Sequence, residues 1–181
     1  IDLVKSLKAA LSIQPETRDV YVVVGTSVLG RSWAAQAKEK FQQLSGQINF
    51  HYLSDLSMDE VLHKVSTLPP QAIVLYLLIV KDASGNSFVP RKALDTISQS
   101  SSVPVYGLWD TYVGHGIIGG HLCSFDLLGK NVNKMVTRIL NGDSLEKIHP
   151  IILGPSIYMF DWRQIKRFRI DEKRIPDKNI I

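Results

Sequence analysis

VPVYGLWDTYVGHGIIGGHLCSF, residues 103–125, opens on a short apolar run, Val103 to Gly107, with the character of a buried strand. Asp110 and Tyr112 stand where that strand would end, and Gly114, His115 and Gly116 follow. Gly119 and Gly120 then lead into a second apolar run, Leu122 to Phe125. Four glycines within seven residues allow the backbone positive φ or the close approach of another molecule. In an open α/β sheet, ligands sit beyond the carboxyl ends of the strands. The segment therefore reads as the wall of a pocket.

Outward from it, strand and helix patterns alternate. Residues 1–13 carry apolar side chains at 3, 4, 7, 10 and 11, a helical spacing, with Pro15 just beyond. Asp19 to Val24 is a β-branched run, and Gly25-Thr26-Ser27 turns it into a helix predicted from Leu29 to Leu44. Ile48 to Leu53 alternates as a strand near the sheet edge does. Ser57 and Glu60 form a capping box for a helix that ends before Pro69-Pro70. Ala72 to Val80 is the most apolar strand and is predicted to be central; a turn-rich loop, Lys81 to Ser87, follows. Pro90 suits the first turn of a helix through Ser100. Val103–Gly107 and Gly120–Phe125 are the fourth and fifth strands, and Asp126 is the expected cap of a helix over 127–140, closed by Asn141-Gly142. This alternation predicts an α/β fold, a mainly parallel five- to six-stranded sheet with helices on both faces. Beyond Gly142 the pattern breaks: His149–Leu153 and Tyr158–Phe160 suggest strands, 162–168 a short helix, and 170–181 has no period. Residues 1–142 are thus expected to form the ligand-binding lobe and 143–181 an extension.

Composition narrows the function. With 45% apolar and 21% charged residues the 181-residue chain is ordinary globular material. It begins at Ile1 and is expected to be a fragment of a longer or processed product. Three of the four excess positive charges lie between Asp161 and Lys178 in a mixed-charge run, the pattern of a solvated face, so no nucleic-acid partner is expected. A single cysteine, Cys123, excludes an intrachain disulfide, and its apolar setting is that of core.

The candidate ligand-binding residues are Thr26, Ser27, Asp82, Asp110, Tyr112 and His115. Thr26 and Ser27 lie at the first strand-to-helix turn, where hydroxyls and free N–H groups receive polar or anionic ligand groups or simply cap the helix. Neither a P-loop nor G-x-G-x-x-G occurs there, so no nucleotide cofactor is expected. Asp110 and His115 are the nearest approach to a catalytic pair, but no nucleophile has a recognisable setting beside them. A binding role fits better: a carboxylate for an ammonium or hydroxyl, an imidazole and a phenol for polar ends. Asp82, after the third strand, either converges on the same cleft or forms the turn. The five histidines are dispersed, and no metal site is expected.

VPVYGLWDTYVGHGIIGGHLCSFDLLGKNVNKMVTRILNGD, residues 103–143, resembles the second lobe of type 1 periplasmic-binding folds, and VLYLLIVKDASGNSFVPRKAL, the phrase Asp110-Thr111-Tyr112-Val113-Gly114-His115-Gly116, and Phe160-Asp161-Trp162-Arg163-Gln164 resemble one sensor group among them. The similarity is to the uncharacterised ABC-type substrate-binding family, in particular the extracytoplasmic sensor domains of bacterial membrane histidine kinases. The resemblance implies a Rossmann- or flavodoxin-like three-layer lobe, a first lobe of comparable size outside this chain, and a small organic solute, an amino acid or similar, held between the two. It implies an extracytoplasmic location, a membrane-anchored parent, and signalling by cleft closure without catalysis. A tail returning toward the first lobe or the membrane is part of the same expectation. The alternatives are the binding component of an ABC transporter, a homodimerising interaction module, and an enzyme on a flavodoxin-like sheet that uses Asp110 and His115.

Overall fold

Four parallel strands make the sheet in the computed structural model, which describes residues 1–144 and 154–176. They are β1 (Asp19–Val24), β2 (Asn49–Leu53), β3 (Ala72–Leu78) and β4 (Val105–Tyr106), in the order β2-β1-β3-β4. β1 runs in register with β2 from Asp19↔Asn49 and with β3 from Asp19↔Ala72. β-Branched and aromatic residues dominate β1, and its two faces feed two separate cores. Val20, Val22 and Val24 pack with α1 (Leu3–Ile13) and α2 (Val28–Phe41). Tyr21 and Val23 pack with α3 (Met58–Ser66) and α4 (Pro90–Ser100). Helices on both faces bury β3 along its whole length, whereas β2, at the edge, alternates exposed and covered residues as its sequence predicts. The Ser57–Glu60 capping box forms as read.

The expected fifth parallel strand is the main difference. β5 (Gly119–Cys123) pairs antiparallel with β6 (Ser156–Phe160), giving a two-stranded ribbon. It is tied to the parallel sheet by an isolated Trp109↔Cys123 bridge and by N–H groups of Ile118 and Cys123 donating to Val105 and Leu108 carbonyls. Gly119 and Gly120 have φ of 114° and 132°, outside strand geometry for other residues, so the chain leaves the parallel ladder there. β4 is correspondingly two residues long. α5 (Phe125–Leu140) starts two residues earlier than expected, because Ser124 and not Asp126 is its cap: the Ser124 hydroxyl accepts from Leu127 N–H. Asp126 lies in the first turn and pairs with Lys130. α2 ends at Phe41, with a 3₁₀ turn over Gln42–Leu44.

The described part of residues 143–181 is built into the lobe. Phe160, Ile165 and Ile175 lie in the same core as α1 and α2. Asp161 caps α6 (Trp162–Arg167) by accepting from Arg163 N–H. The Arg167 guanidinium donates to the carbonyls of Ser98, Gln99 and Ser101 at the end of α4, where orphan carbonyls and the helix dipole favour a cation. The strand expected over His149–Leu153 lies outside the described residues. Among those described, no helix is long and apolar enough to cross a membrane.

Candidate ligand-binding site

All four parallel strands point their carboxyl ends to one edge, and two hollows lie there on either side of the end of β3. The first is polar. The Gly25 N–H donates to Leu78 O and the Thr26 N–H to Lys81 O, so the loops after β1 and β3 touch backbone to backbone. A side chain at Gly25 would overlap the Lys81 carbonyl oxygen, which explains glycine at that point. Thr26 Oγ1 donates to the carbonyls of Lys81 and Asp82, and Ser27 caps α2 by accepting from Gly30 N–H. Around them, Arg31, Lys81 and Asp55 border a hollow of about 680 Å³. Two cations against one outward carboxylate, beside the N-terminus of α2, favour an anionic guest group.

Asp82 contributes little charge to that hollow because it is turned inward. It is 3% exposed, and its carboxylate accepts from the N–H groups of Met58 and Asn86 and from the Asn86 amide. Burial pushes the carboxyl up, but these bonds and the Ser84 N–H more than offset it and hold it below the usual carboxylate range. Asp82 therefore ties the loop after β3 to the start of α3. A lowered folded value means the stabilisation is whole above the unfolded value of about 3.9 and is lost as pH falls through the folded one. In thermal melts, Asp82→Asn is expected to fall furthest below the native chain near pH 6–7, the gap closing below about pH 4. A gap that stays constant on acidification would contradict this role.

The second hollow is apolar, about 530 Å³, and lined by Leu78, Val89, Pro90, Trp109, Tyr112 and Phe125, with Arg91 and Thr111 at its border. Trp109 is held edge-on between Trp33 of α2 (5.6 Å) and Tyr112 (5.3 Å). Tyr112 is 4% exposed, and its hydroxyl reaches the Leu77 carbonyl at 3.4 Å, so burial pushes its phenol well above the ordinary range. It shapes the floor with its ring and offers no free hydroxyl. Asp110 is bound to the start of α5: its Oδ2 accepts from Phe125 N–H at 3.0 Å. Its Oδ1 is buried and, among the described residues, accepts no hydrogen bond.

His115 lies elsewhere. Gly114 and Gly116, with φ of 84° and 94°, turn the loop down the flank of α4, where His115 Nδ1 pairs with Asp95 Oδ1 at 2.9 Å. The Asp110–His115 pair on which an enzymatic reading depends is not formed. Thus the structure groups Thr26, Ser27 and the inward-turned Asp82 with the polar hollow and Tyr112 with the apolar one; Asp110 holds the start of α5 beside the latter, and His115 lies on the flank of α4. Trp109, Phe125, Val89, Arg31 and Lys81 were not singled out from sequence. Their signal is the placement of large apolar and basic side chains just past strand ends. Among the described residues no cluster of three metal-ligating side chains occurs.

A parallel sheet covered by helices on both faces is shared with several solved structures. A ligand-free, open substrate-binding protein with adhesive properties from Clostridium difficile superposes with a TM-score of 0.74 at 14% identity, covering 100% of this chain and 60% of that protein. The ABC domain from Streptococcus pneumoniae in complex with L-Trp gives 0.66 at 13% identity, over 97% and 59%. A conserved domain protein from Vibrio cholerae gives 0.60 at 17%, over 94% and 55%. The chain therefore shares its α/β fold with solved substrate-binding proteins, and it spans between 55% and 60% of these three. No family model and no curated protein matches the sequence.

Proposed function

We propose that this chain is one lobe of a non-catalytic solute-binding protein that works outside the cytoplasm and delivers its guest to an ABC-type importer. The observation that carries this reading is the pair of hollows at the strand ends, one aromatic and apolar, the other polar and cationic. Together they suit an amphipathic guest, an amino acid or similar small organic acid. Its apolar body lies against Trp109 and Phe125, and its carboxylate turns toward Thr26, Ser27, Arg31 and Lys81. Both hollows are open on this lobe, so tight binding requires a second wall, and the guest favours the closed state by contacts it makes only there. The L-Trp complex of the streptococcal neighbour supports an aromatic guest and a transport role. The sensor-kinase reading rests on the likeness of the VLYLLIVKDASGNSFVPRKAL run and of the Asp110–Gly116 and Phe160–Gln164 phrases, and on the tail as a path toward a membrane.

Thermal-shift screening of the full-length polypeptide against the amino acids, hydroxy acids and aromatic carboxylates tests the proposal. An apolar or aromatic amino acid at a hundred times its Kd is expected to add about 2.7 kcal/mol of stability and raise Tm accordingly. A response to hydrophilic solutes only, or to none of the panel, would sink it.

A further inference from the structure

We infer that His121 is a proton-sensitive latch: when its imidazole takes up a proton in acid, the outer end of the β5–β6 ribbon parts and the start of α5 loosens with it. Four histidines lie among the described residues. His51 and His115 are open to solvent and sit against carboxylates, Asp19 at 2.7 Å and Asp95 at 2.9 Å, which suit a charged ring. His63 is exposed. His121 alone is buried, at 9% exposure, and what holds its ring is uncharged. Its Nε2 lies 2.9 Å from the Ser156 hydroxyl, and the Tyr158 ring stands edge-on at 5.2 Å. A hydroxyl and an aromatic ring serve a neutral imidazole but offset little of the cost of a buried charge. Burial holds the group below the usual histidine range; the Lys5 ammonium on α1 adds to this, and the Asp2 carboxylate opposes it.

The geometry decides which strand gives way. On one side β5 is fastened to α1, because the Ser6 hydroxyl donates to the His121 carbonyl at 2.6 Å in a buried bond. On the other side the cover is thin: Tyr158, opposite His121 in the register, is 41% exposed, and Ser156 is exposed. An outward turn of this end of β6 hydrates the imidazole and leaves Phe160, at the other end, in the core. The movement reaches α5 through the residue before Ser156. The Pro155 carbonyl accepts from the Ser124 N–H at 2.9 Å, and Ser124 is the cap of α5, its hydroxyl accepting from Leu127 N–H. Phe125, which lines the apolar hollow, comes next in the chain. A lowered folded value means that the open form takes up the proton first. Closure is therefore undiminished above about pH 6.5 and weakens as the pH falls from there toward the folded value.

The latch needs no solute and neither does its test, so it stands or falls apart from the proposed function. Amide hydrogen exchange of the native chain and of His121→Gln, corrected for the intrinsic effect of pH, is compared at about pH 7.5 and about pH 5.5. Protection at Ile157 and Ser124 is expected to fall about five- to tenfold in the native chain, tenfold being the limit for a free imidazole one unit above the lower pH. In His121→Gln, which keeps a polar partner for Ser156 but takes up no proton, the fall should stay within about twofold. Parallel falls in the two chains overturn the inference, and so does a fall at Ile157 with Ser124 unchanged. An NMR titration of the native chain needs no variant. The His121 ring is expected to titrate at lower pH than the exposed His63, with the Ser124 and Phe125 amide shifts following the His121 midpoint. A His121 midpoint at or above that of His63 overturns the latch.

Discussion

Gly119→Ala is expected to cost at least about 3 kcal/mol, the range reserved for substitutions that force backbone apart. Two independent penalties add at this position. Its φ of 114° is a conformation that side chains other than glycine rarely adopt, worth about 1–3 kcal/mol. A methyl group there would also overlap the Met159 carbonyl oxygen and sit hard against Phe160 Cα, separating β5 from β6. That ribbon positions Phe160 in the main core, so the damage spreads to Ile165 and the tail. Gly120→Ala is the control: φ is 132°, but nothing lies within 4 Å of the added carbon, so only the conformational penalty applies. Urea titration should place the native chain above Gly120→Ala and Gly120→Ala above Gly119→Ala. If Gly119→Ala loses less than its neighbour, the β5–β6 register described here is wrong.

The largest effect on binding is expected at Phe125. Its ring is 50% exposed in the free lobe, so its removal creates no cavity in the core, and Phe125→Ala should shift Tm by only a few degrees. Its backbone N–H, which Asp110 accepts, is retained. Phe125 and Trp109 both line the apolar hollow, and in the proposed closed cleft they would be the two large aromatic surfaces against the guest. Truncating a buried aromatic anchor costs about 2 kcal/mol or more, roughly a thirtyfold loss of affinity. Titration calorimetry on the full-length polypeptide, with the solute that the thermal screen identifies, measures this directly. His115→Ala, whose imidazole pairs with Asp95 on the flank of α4, serves as the comparison and should leave affinity within about twofold, since an exposed pair contributes little. A result with the two reversed would move the site to the flank of α4.

Much of this architecture is legible in the residues. β1 and β3 announce themselves as unbroken apolar runs, and such runs require helices on both sheet faces. The glycines at 114, 116, 119 and 120 do take positive φ, and they bend the loop as their sequence suggests. Pairing direction is not legible. The run ending at Cys123 has the same apolar content whether its neighbour is parallel or antiparallel, and its true partner, Ser156–Phe160, lies beyond α5 and past Gly142, where the sequence pattern breaks. The site was half legible for a similar reason. Thr26 and Ser27 follow from the strand-to-helix turn, a local feature. The partner of His115 is twenty residues away on another helix, and the burial of Tyr112 depends on Tyr76 and Trp109 packing against it. Polar side chains past a strand end stand out in a sequence, whereas the Trp109 and Phe125 that line the apolar hollow carry no local signal of that role.

The pairing of β5 with β6 also bears on biosynthesis. A ribosome delivers the first five strands and all of α5 before Phe160, Ile165 and Ile175 leave the exit tunnel, and these three fill the layer beneath α1 and α2. Until then the nascent lobe holds an unfilled gap in its interior. Its last stitch is made from behind, by a segment translated after the helix that departs from it. Completion of the interior is thus coupled in time to the emergence of α5, and a chain cut short at Gly142 would leave the nascent lobe in the custody of chaperones.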